Sequence, residues 1–166
     1  SPLPPRKPAS QPMPMGASAS GGELSRLMLA LELSAAGHGA SGEQGALMTF
    51  IFDEVDAGVG GRTAVELGRR LARLARHAQV IVVTHLPQVA SWAQRQYVVS
   101  KGTDGEGRTG TSVREVQGSA RVEEIARMLA GDTTRTSLDH ARELLDASRL
   151  DDDNTDAVAG GSAHDD

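Results

Sequence analysis

The segment TFIFDEVDAGVGG, residues 49–61, joins a short apolar run to three acidic residues and then to three glycines. The apolar run predicts a β-strand over residues 47–52. Burying an unpaired carboxylate costs roughly several kcal/mol, so most folds avoid an apolar strand that leads directly into acids such as Asp53, Glu54 and Asp56. Either the three acids lie at a solvent-facing strand end by chance, or something at that end requires them.

The residues that follow predict a helix and a second strand. The helix is expected over residues 62–77, and the β-branched run QVIVVTH at residues 79–85 predicts a strand that is buried on both faces. Strand, helix and strand within so short a stretch are typical of a βαβ unit with parallel strands, which places the chain in the α/β class. The apolar side of the helix is expected to consist of Val65, Leu67, Leu71, Leu74 and Ala75.

The flanking regions predict a second helix before this unit and a hairpin with two helices after it. Apolar residues at helical spacing begin after Glu23, and a Gly- and Ser-rich loop is expected over residues 37–45. The apolar positions of this helix are Leu24, Leu27, Met28 and Leu31. Further along the chain, YVVSK and TSVREV flank the turn TDGEGRTG and predict an antiparallel hairpin, followed by helices near 120–129 and 137–147.

Composition sets the limits of the domain. Residues 1–19 are rich in proline and predict a flexible lead-in, residues 20–149 form the expected domain, and residues 150–166 predict a disordered acidic tail. The absence of cysteine fits a reducing cytoplasm, and the sequence contains no apolar run of the roughly 18 residues that a membrane span requires. The net charge of −5 arises largely in the tail, so charge neither supports nor excludes a DNA-facing surface.

Three short motifs carry candidate chemistry. Asp53 and Glu54 after an apolar strand suit a Mg²⁺ ion on a nucleotide, although two solvated acids at a strand end would look the same. Ser20, Gly21 and Gly22 before a helix suit an anion site, or an ordinary N-cap with a flexible joint. His85 after the second strand could donate a hydrogen bond to a phosphate, but a lone histidine there is more often structural.

Together these motifs are more specific than each alone. They occur in a fixed order, with spacings of 33 residues between Ser20 and Asp53 and 32 residues between Asp53 and His85. In this order the chain resembles the ATP-binding-cassette superfamily of head ATPases, with ASGGELSR, FIFDEVDAGVGG and VTHLPQVA similar to its signature motif, Walker B strand and switch histidine. Within that superfamily, the residues of the three segments are similar to those of the bacterial SMC-like DNA repair ATPases, and the resemblance covers residues 18–147.

The resemblance implies the C-terminal lobe of an ATPase head, with ATP and Mg²⁺ as cofactors. It implies that Asp53 positions Mg²⁺ through water, that Glu54 is the general base and that His85 senses the γ-phosphate. A loop over residues 56–61, beginning at Asp56, would link two sites across a dimer of heads. The residues that would contact ATP held by the second head are Ser20, Gly21, Gly22 and Glu23.

The resemblance also implies partners. These are an N-terminal lobe that carries the Walker A loop, a second head in a homodimer, and DNA ends or single-stranded DNA, with no membrane. The implied location is cytoplasmic and nucleoid-associated. Neither lysine of the chain, Lys7 nor Lys101, lies in a G-x-x-x-x-G-K-[ST] loop. The chain is therefore expected to be part of a longer protein and inactive in hydrolysis by itself.

Two alternative functions remain at this point: a fragment of a transporter ATPase, and a non-catalytic interaction module. Transporter cassettes typically have LSGGQ and DEPTSALD, whereas this chain has Glu23 in place of the glutamine and Val55 to Gly58 in place of Pro-Thr-Ser-Ala. Gly60 falls where transporters keep an aspartate, so the role of that aspartate does not carry over. The arginines on one side of the helix at 62–77 could bind DNA, but such a row of charges is more often a solvated helix face.

Overall fold

The structure, a computed structural model, describes residues 21–40 and 48–151. Two parallel strands, an antiparallel hairpin and five helices make up this part of the chain, and the predicted α/β class is confirmed. The predicted hairpin and the two helices after it are present as well. In chain order the elements are α1 Gly21–Ala40, β1 Thr49–Asp53, α2 Gly61–Leu74, β2 Gln79–Val83, α3 Pro87–Ala90, β3 Gln96–Thr103, β4 Thr109–Val116, α4 Gly118–Ala130 and α5 Arg135–Ala147.

Strands β1 and β2 pair in parallel, in a register that runs from Thr49 opposite Gln79 to Asp53 opposite Val83. Helix α2 connects them, which is the predicted βαβ unit. Alternate side chains of both strands face the helices, and the rings of Phe50 and Phe52 stack there with centroids 6.3 Å apart. The apolar core on this face contains Met28, Ala35, Phe52, Val55, Leu67, Leu71, Leu74, Ala78 and Val89.

The opposite face of this small sheet is bare. Ile51 is 71% exposed, Ile81 45% and Val83 57%. The expectation that the QVIVVTH strand is buried on both faces is therefore wrong for the described part of the chain. The physical reason is that α1 and α2 cover one face of the two strands, and the residues at 21–40 and 48–151 provide no cover for the other.

Some predicted element bounds, and one predicted buried position, differ from the structure. The loop expected from residue 37 is wrong up to residue 40, because α1 continues through Gly37; glycine lowers helix stability by about 1 kcal/mol without excluding helical backbone angles. Residues 41–47 of that loop lie outside the described residues. Helix α2 ends at Leu74, three residues before the predicted end. Val65 is exposed, and Ala64 occupies the buried position beside Leu67 and Leu71.

Helices α4 and α5 form a second apolar cluster with the end of α3. Ala90, Ile125, Ala126 and Ala141 are buried in it. Gly131 ends α4 in the left-handed conformation, at φ 75°, and its N–H donates to the backbone oxygen of Arg127. Thr134 caps α5 by accepting a hydrogen bond from the backbone N–H of Ser137.

The β3–β4 hairpin extends from this cluster with Gln96 opposite Val116 at its base. Its turn is closed by the carboxylate of Asp104, which accepts hydrogen bonds from the backbone N–H groups of Glu106 and Arg108 at 2.9 Å each. No helix among the described residues is both long and apolar enough for a membrane crossing.

Gly68 lies in the interior of α2, where this helix approaches the segment after β2. A Cβ atom on Gly68 would stand 2.3 Å from Cδ1 of Trp92 and 2.8 Å from the backbone oxygen of Gln88. Both distances are shorter than side chains tolerate, and the second involves backbone. Close packing of α2 against this segment therefore requires glycine.

We expect Gly68→Ala to lower the free energy of unfolding by about 1–3 kcal/mol, because it overpacks this contact. Gly37→Ala is the matched control: Gly37 is also helical, yet no atom beyond its chain neighbours and the nearby backbone of its own helix lies within 4 Å of its Cβ position. That change should raise the free energy of unfolding by about 0.5–1 kcal/mol. Urea unfolding measures both variants, and effects of the same sign would contradict the close contact at Gly68.

Candidate functional site

The candidate site lies at the carboxyl ends of β1 and β2. Asp53, the last residue of β1, is opposite Val83, the last residue of β2. Because the strands are parallel, the segments that begin with Glu54 and with Thr84 leave the sheet at the same edge, where ligands of open α/β sheets bind. Asp53, Glu54 and His85 are all exposed there. Two carboxylates and an imidazole therefore face solvent at one edge of the sheet.

Glu54 stands out in its backbone conformation. Its φ is 55°, and no other residue except glycine has a positive φ within residues 21–40 and 48–151. This left-handed conformation costs an L-residue about 1–2 kcal/mol. The backbone oxygen of Glu54 accepts a hydrogen bond from the N–H of Ala57 at 3.1 Å, and Gly58 continues the turn at φ 73°. Such strain at a non-glycine residue is a feature of functional sites.

Asp56 points inward, unlike the two acids before it. It is only 2% exposed, and its Oδ2 accepts a hydrogen bond from the hydroxyl of Thr84. The same hydroxyl accepts a hydrogen bond from the backbone N–H of Leu86 at 3.0 Å. The backbone oxygen of Asp56 accepts from the N–H of Val59 at 3.0 Å. Asp56 and Thr84 thus connect the turn after β1 to the segment after β2.

The segment that carries His85 is also held from its far side. Helix α3 begins at Pro87, and at its last residue and just beyond it the guanidinium of Arg121 donates to three backbone oxygens. It also donates to Oε1 of Gln96 at 3.1 Å. Burial lowers the pKa of Arg121 from its ordinary value. The three backbone oxygens are those of Ala90 at 3.3 Å, Ser91 at 3.4 Å and Ala93 at 2.7 Å.

The signature-like motif lies at the start of α1. Ser20 lies outside the described residues, whereas Gly21, Gly22 and Glu23 form the first turn of the helix, so the expectation that both glycines precede the helix is wrong. Two contacts show that α1 runs alongside α2 in the same direction. Side chains near the starts of both helices line one small cavity, and further along the two helices Glu32 pairs with Arg73 at 3.2 Å. Since α2 starts just after the turn that follows β1, the start of α1 lies at the same end of the fold as Asp53 and His85.

The arginine side of α2 is paired with carboxylates. Arg69 and Arg70 each donate to Glu66 at 3.1 Å, and Arg73 donates to Glu32 of α1 at 3.2 Å. The hydrogen bond from Arg69 holds the pKa of Glu66 below its usual value, with the charges of Arg69 and Arg70 acting in the same direction. These ion pairs stabilise the surface of the α1–α2 pair. Arginines that are already paired with carboxylates fit a solvated helix face better than a face that binds DNA phosphates.

Sequence reasoning missed Thr84 and Arg121. A signal for Thr84 existed, since a hydroxyl residue precedes His85 in VTHLPQVA, but its acceptor Asp56 lies 28 residues earlier. Arg121 had no local signal, because the backbone oxygens that it binds lie 28 to 31 residues away. Spacing within one motif does not reveal either contact.

A parallel βαβ unit with acids and a histidine at the carboxyl edge of its strands defines an α/β protein whose fold is compatible with an ATPase lobe. Comparison with known proteins narrows this class. Over 145 residues, 87% of this chain, it is 53% identical to DNA repair protein RecN of Streptomyces coelicolor. It is 57% identical over 144 residues to RecN of Mycobacterium leprae and 48% identical over 132 residues to RecN of Deinococcus radiodurans.

The chain is thus a relative of RecN over the segment that the proteins share, and the resemblance to a bacterial SMC-like repair protein is confirmed. It spans only about a quarter of the length of these relatives, 24% of the Streptomyces protein and 22% of the other two. No protein-family model matches the chain.

The left-handed conformation of Glu54 leads to a stability prediction. Glycine adopts a positive φ at no steric cost, so the free energy of unfolding should be about 1 kcal/mol higher for Glu54→Gly than for Glu54→Ala. At Ala72, inside α2, the order reverses, and Ala72→Gly should lower the free energy of unfolding by about 1 kcal/mol. Urea unfolding of the three variants measures this; Glu54→Gly no more stable than Glu54→Ala would show that the residue is not left-handed.

Proposed function

We propose that this chain supplies the Walker B, switch and signature parts of an ATP-hydrolysing head in a RecN-like DNA repair protein. The observation that carries this proposal is the exposed pair of Asp53 and Glu54, which lies at the carboxyl end of β1 beside the strand that leads to His85. The relatives that share this segment are named DNA repair proteins, which supports repair as the process.

The donor set at this edge fits a Mg²⁺ ion. Mg²⁺ keeps several of its waters and is usually held by one or two carboxylates together with substrate phosphates. Asp53 is an exposed carboxylate of that kind, and residues 21–40 and 48–151 contain no group of three or more His, Cys, Asp or Glu side chains arranged to hold a metal ion. Asp53 would hold the ion through water. When bound, Mg²⁺ neutralises negative charge on the phosphates.

The remaining residues position the reactants. The carboxylate of Glu54 accepts a proton from the attacking water as general base, and the strained turn fixes the direction in which this side chain leaves the strand. The imidazole of His85 donates a hydrogen bond to the γ-phosphate. The signature-like residues Ser20, Gly21, Gly22 and Glu23 contact the γ-phosphate of ATP that a second head holds, since the backbone N–H groups and the dipole of a helix attract anions at its start.

Asp56 contributes to this site mainly from below its surface. Its carboxylate is buried and bound to Thr84, so it holds the loop at residues 56–61 in place at the carboxyl edge of the two strands. This loop would link the sites of two heads. A homodimer of heads is therefore part of the proposal.

The bare face of the β1–β2 sheet supports the proposed N-terminal lobe. Parallel strands are normally covered on both faces, and Ile51, Ile81 and Val83 are exposed here. An apolar surface of another lobe would cover them, and that lobe would carry the Walker A loop that this sequence lacks. DNA ends or single-stranded DNA would be the polymer on which the assembled protein acts.

The transporter alternative is weaker, because the relatives described above carry the name of a DNA repair protein. A non-catalytic interaction module is favoured by one observation only, which is the lack of a Walker A loop in this sequence. That observation concerns hydrolysis by the chain in isolation, and the intact Asp53–Glu54 pair favours catalysis in the assembled head.

The test uses a protein that we name the RecN chimera, in which this chain replaces the segment that it matches in Streptomyces coelicolor RecN. We expect the RecN chimera to hydrolyse ATP with and without DNA. Glu54→Gln should lower kcat by about 10²–10⁴-fold, because it removes the proton acceptor and keeps the size of the side chain. Steady-state phosphate release measures the rate.

The matched control is Glu106→Gln, the same chemical change at an exposed residue of the hairpin turn, which should leave kcat unchanged. An active RecN chimera in which Glu54→Gln keeps the full rate would exclude Glu54 as the base. A chimera that folds and binds DNA but hydrolyses no ATP would contradict the proposed function itself.

A further inference from the structure

The hydroxyl of Thr84 is the central atom of a hydrogen-bonded chain between two loops. It donates to Oδ2 of the buried carboxylate of Asp56 and accepts from the backbone N–H of Leu86 at 3.0 Å. One group thus binds the turn after β1 and the segment after β2 at once. Because a hydroxyl has one proton and two lone pairs, Thr84 can make both bonds without competition.

This chain of hydrogen bonds lies close in sequence to two exposed side chains of the site. Glu54 lies two residues before Asp56, and its backbone oxygen is bound in the same turn by the N–H of Ala57 at 3.1 Å. His85 lies between Thr84 and Leu86, so its backbone is held on both sides while its side chain remains exposed. The same hydroxyl therefore joins the two backbone segments that bear these side chains.

The strength of the Asp56–Thr84 contact follows from burial. A carboxylate that is 2% exposed is costly unless it is hydrogen-bonded, and a bond between a hydroxyl and a carboxylate is of the strong, charge-assisted type. Since removal of the hydroxyl would leave a buried carboxylate without this donor, the turn around Asp56 would have to rearrange. Glu54 would move with it.

We propose that Thr84 is a positioning residue for the hydrolysis proposed above: through Asp56 it holds the turn that bears Glu54 and the segment that bears His85 in one arrangement. The inference rests on the proposed function for its kinetic consequence. The contact between the two loops is independent of that function.

Kinetics of the RecN chimera test the consequence. Thr84→Val keeps the shape of the side chain and removes the hydroxyl; we expect a loss in kcat of about 10- to 100-fold, because a shift of about 1 Å at a reacting group costs up to 10²-fold. The KM for ATP should stay within about twofold, since the proposed role of Thr84 is to position other residues rather than to bind the nucleotide. Thr84→Ser, which restores the hydroxyl, should restore most of kcat.

Thr49→Val is the matched control. The hydroxyl of Thr49 donates to Oε1 of Gln79 at 3.1 Å, so it also connects β1 with β2, but at the opposite ends of the same strands. This variant removes a hydroxyl of the same kind and should leave kcat unchanged. Asp56→Ala should lower kcat as Thr84→Val does, and the double variant should lose no more than either single one, because both remove the same contact.

Hydrogen exchange of backbone amides provides a readout that requires no ATPase activity. In the RecN chimera, Thr84→Val should speed exchange in residues 54–59 as well as in residues 85–90. Faster exchange in one segment only would overturn the proposed connection. A lower melting temperature with kcat unchanged would show a merely structural role and would overturn the positioning role. A wild-type chimera without hydrolysis would contradict the proposed function, and exchange would still decide whether Thr84 joins the loops.

Discussion

The parallel pairing of β1 with β2 is the interaction on which the rest of the molecule depends. It aligns Asp53 with Val83 at the ends of the two strands, so that the acidic turn and the histidine segment emerge side by side. Helix α2 connects the end of β1 to the start of β2, so it begins at this same edge. The packing of α1 along α2 then brings a third motif to that end of the fold.

The same pairing also explains the uneven burial of the sheet. Two strands with helices on one face can bury only alternate side chains, which leaves Ile51, Ile81 and Val83 in solvent. At the edge, the alternation is broken by the turn: Val55 and Asp56 are both buried, while Asp53 and Glu54 are both exposed. The left-handed backbone of Glu54 accounts for this change of direction. The left-handed turn at Glu54 thus lets the carboxylate of Glu54 face solvent while that of Asp56 points inward and binds Thr84.

The helices and strands of the βαβ unit, and the edge at which its strands end, could be predicted from the sequence, because both depend on local patterns. Strand β1, helix α2 and strand β2 follow from periodicity, and the placement of Asp53 and His85 follows from the rule for parallel strands. Helix α3 was missed because four residues are too few for a periodic pattern. Val65 was assigned to the buried side because apolar character does not fix which neighbouring position faces the core, and Ala64 takes that place.

Contacts between distant residues could not be predicted in this way. The bond between Thr84 and Asp56, the approach of Trp92 to Gly68 and the hydrogen bonds of Arg121 all depend on how the elements pack. A single sequence contains no direct record of that packing, so the candidate site was predicted as a set of exposed groups without the buried contacts beneath them.

The central claim, that this strand edge holds a nucleotide with its metal ion, is tested most directly by equilibrium binding of ATP to the RecN chimera with and without Mg²⁺. We expect Mg²⁺ to tighten ATP binding in the unchanged chimera, and we expect this tightening to be lost in Asp53→Asn, because the variant removes the charge that would hold the ion. Asp104→Asn, the same change in the distant hairpin turn, should retain it. Equal tightening by Mg²⁺ in Asp53→Asn and in the unchanged chimera would contradict the account.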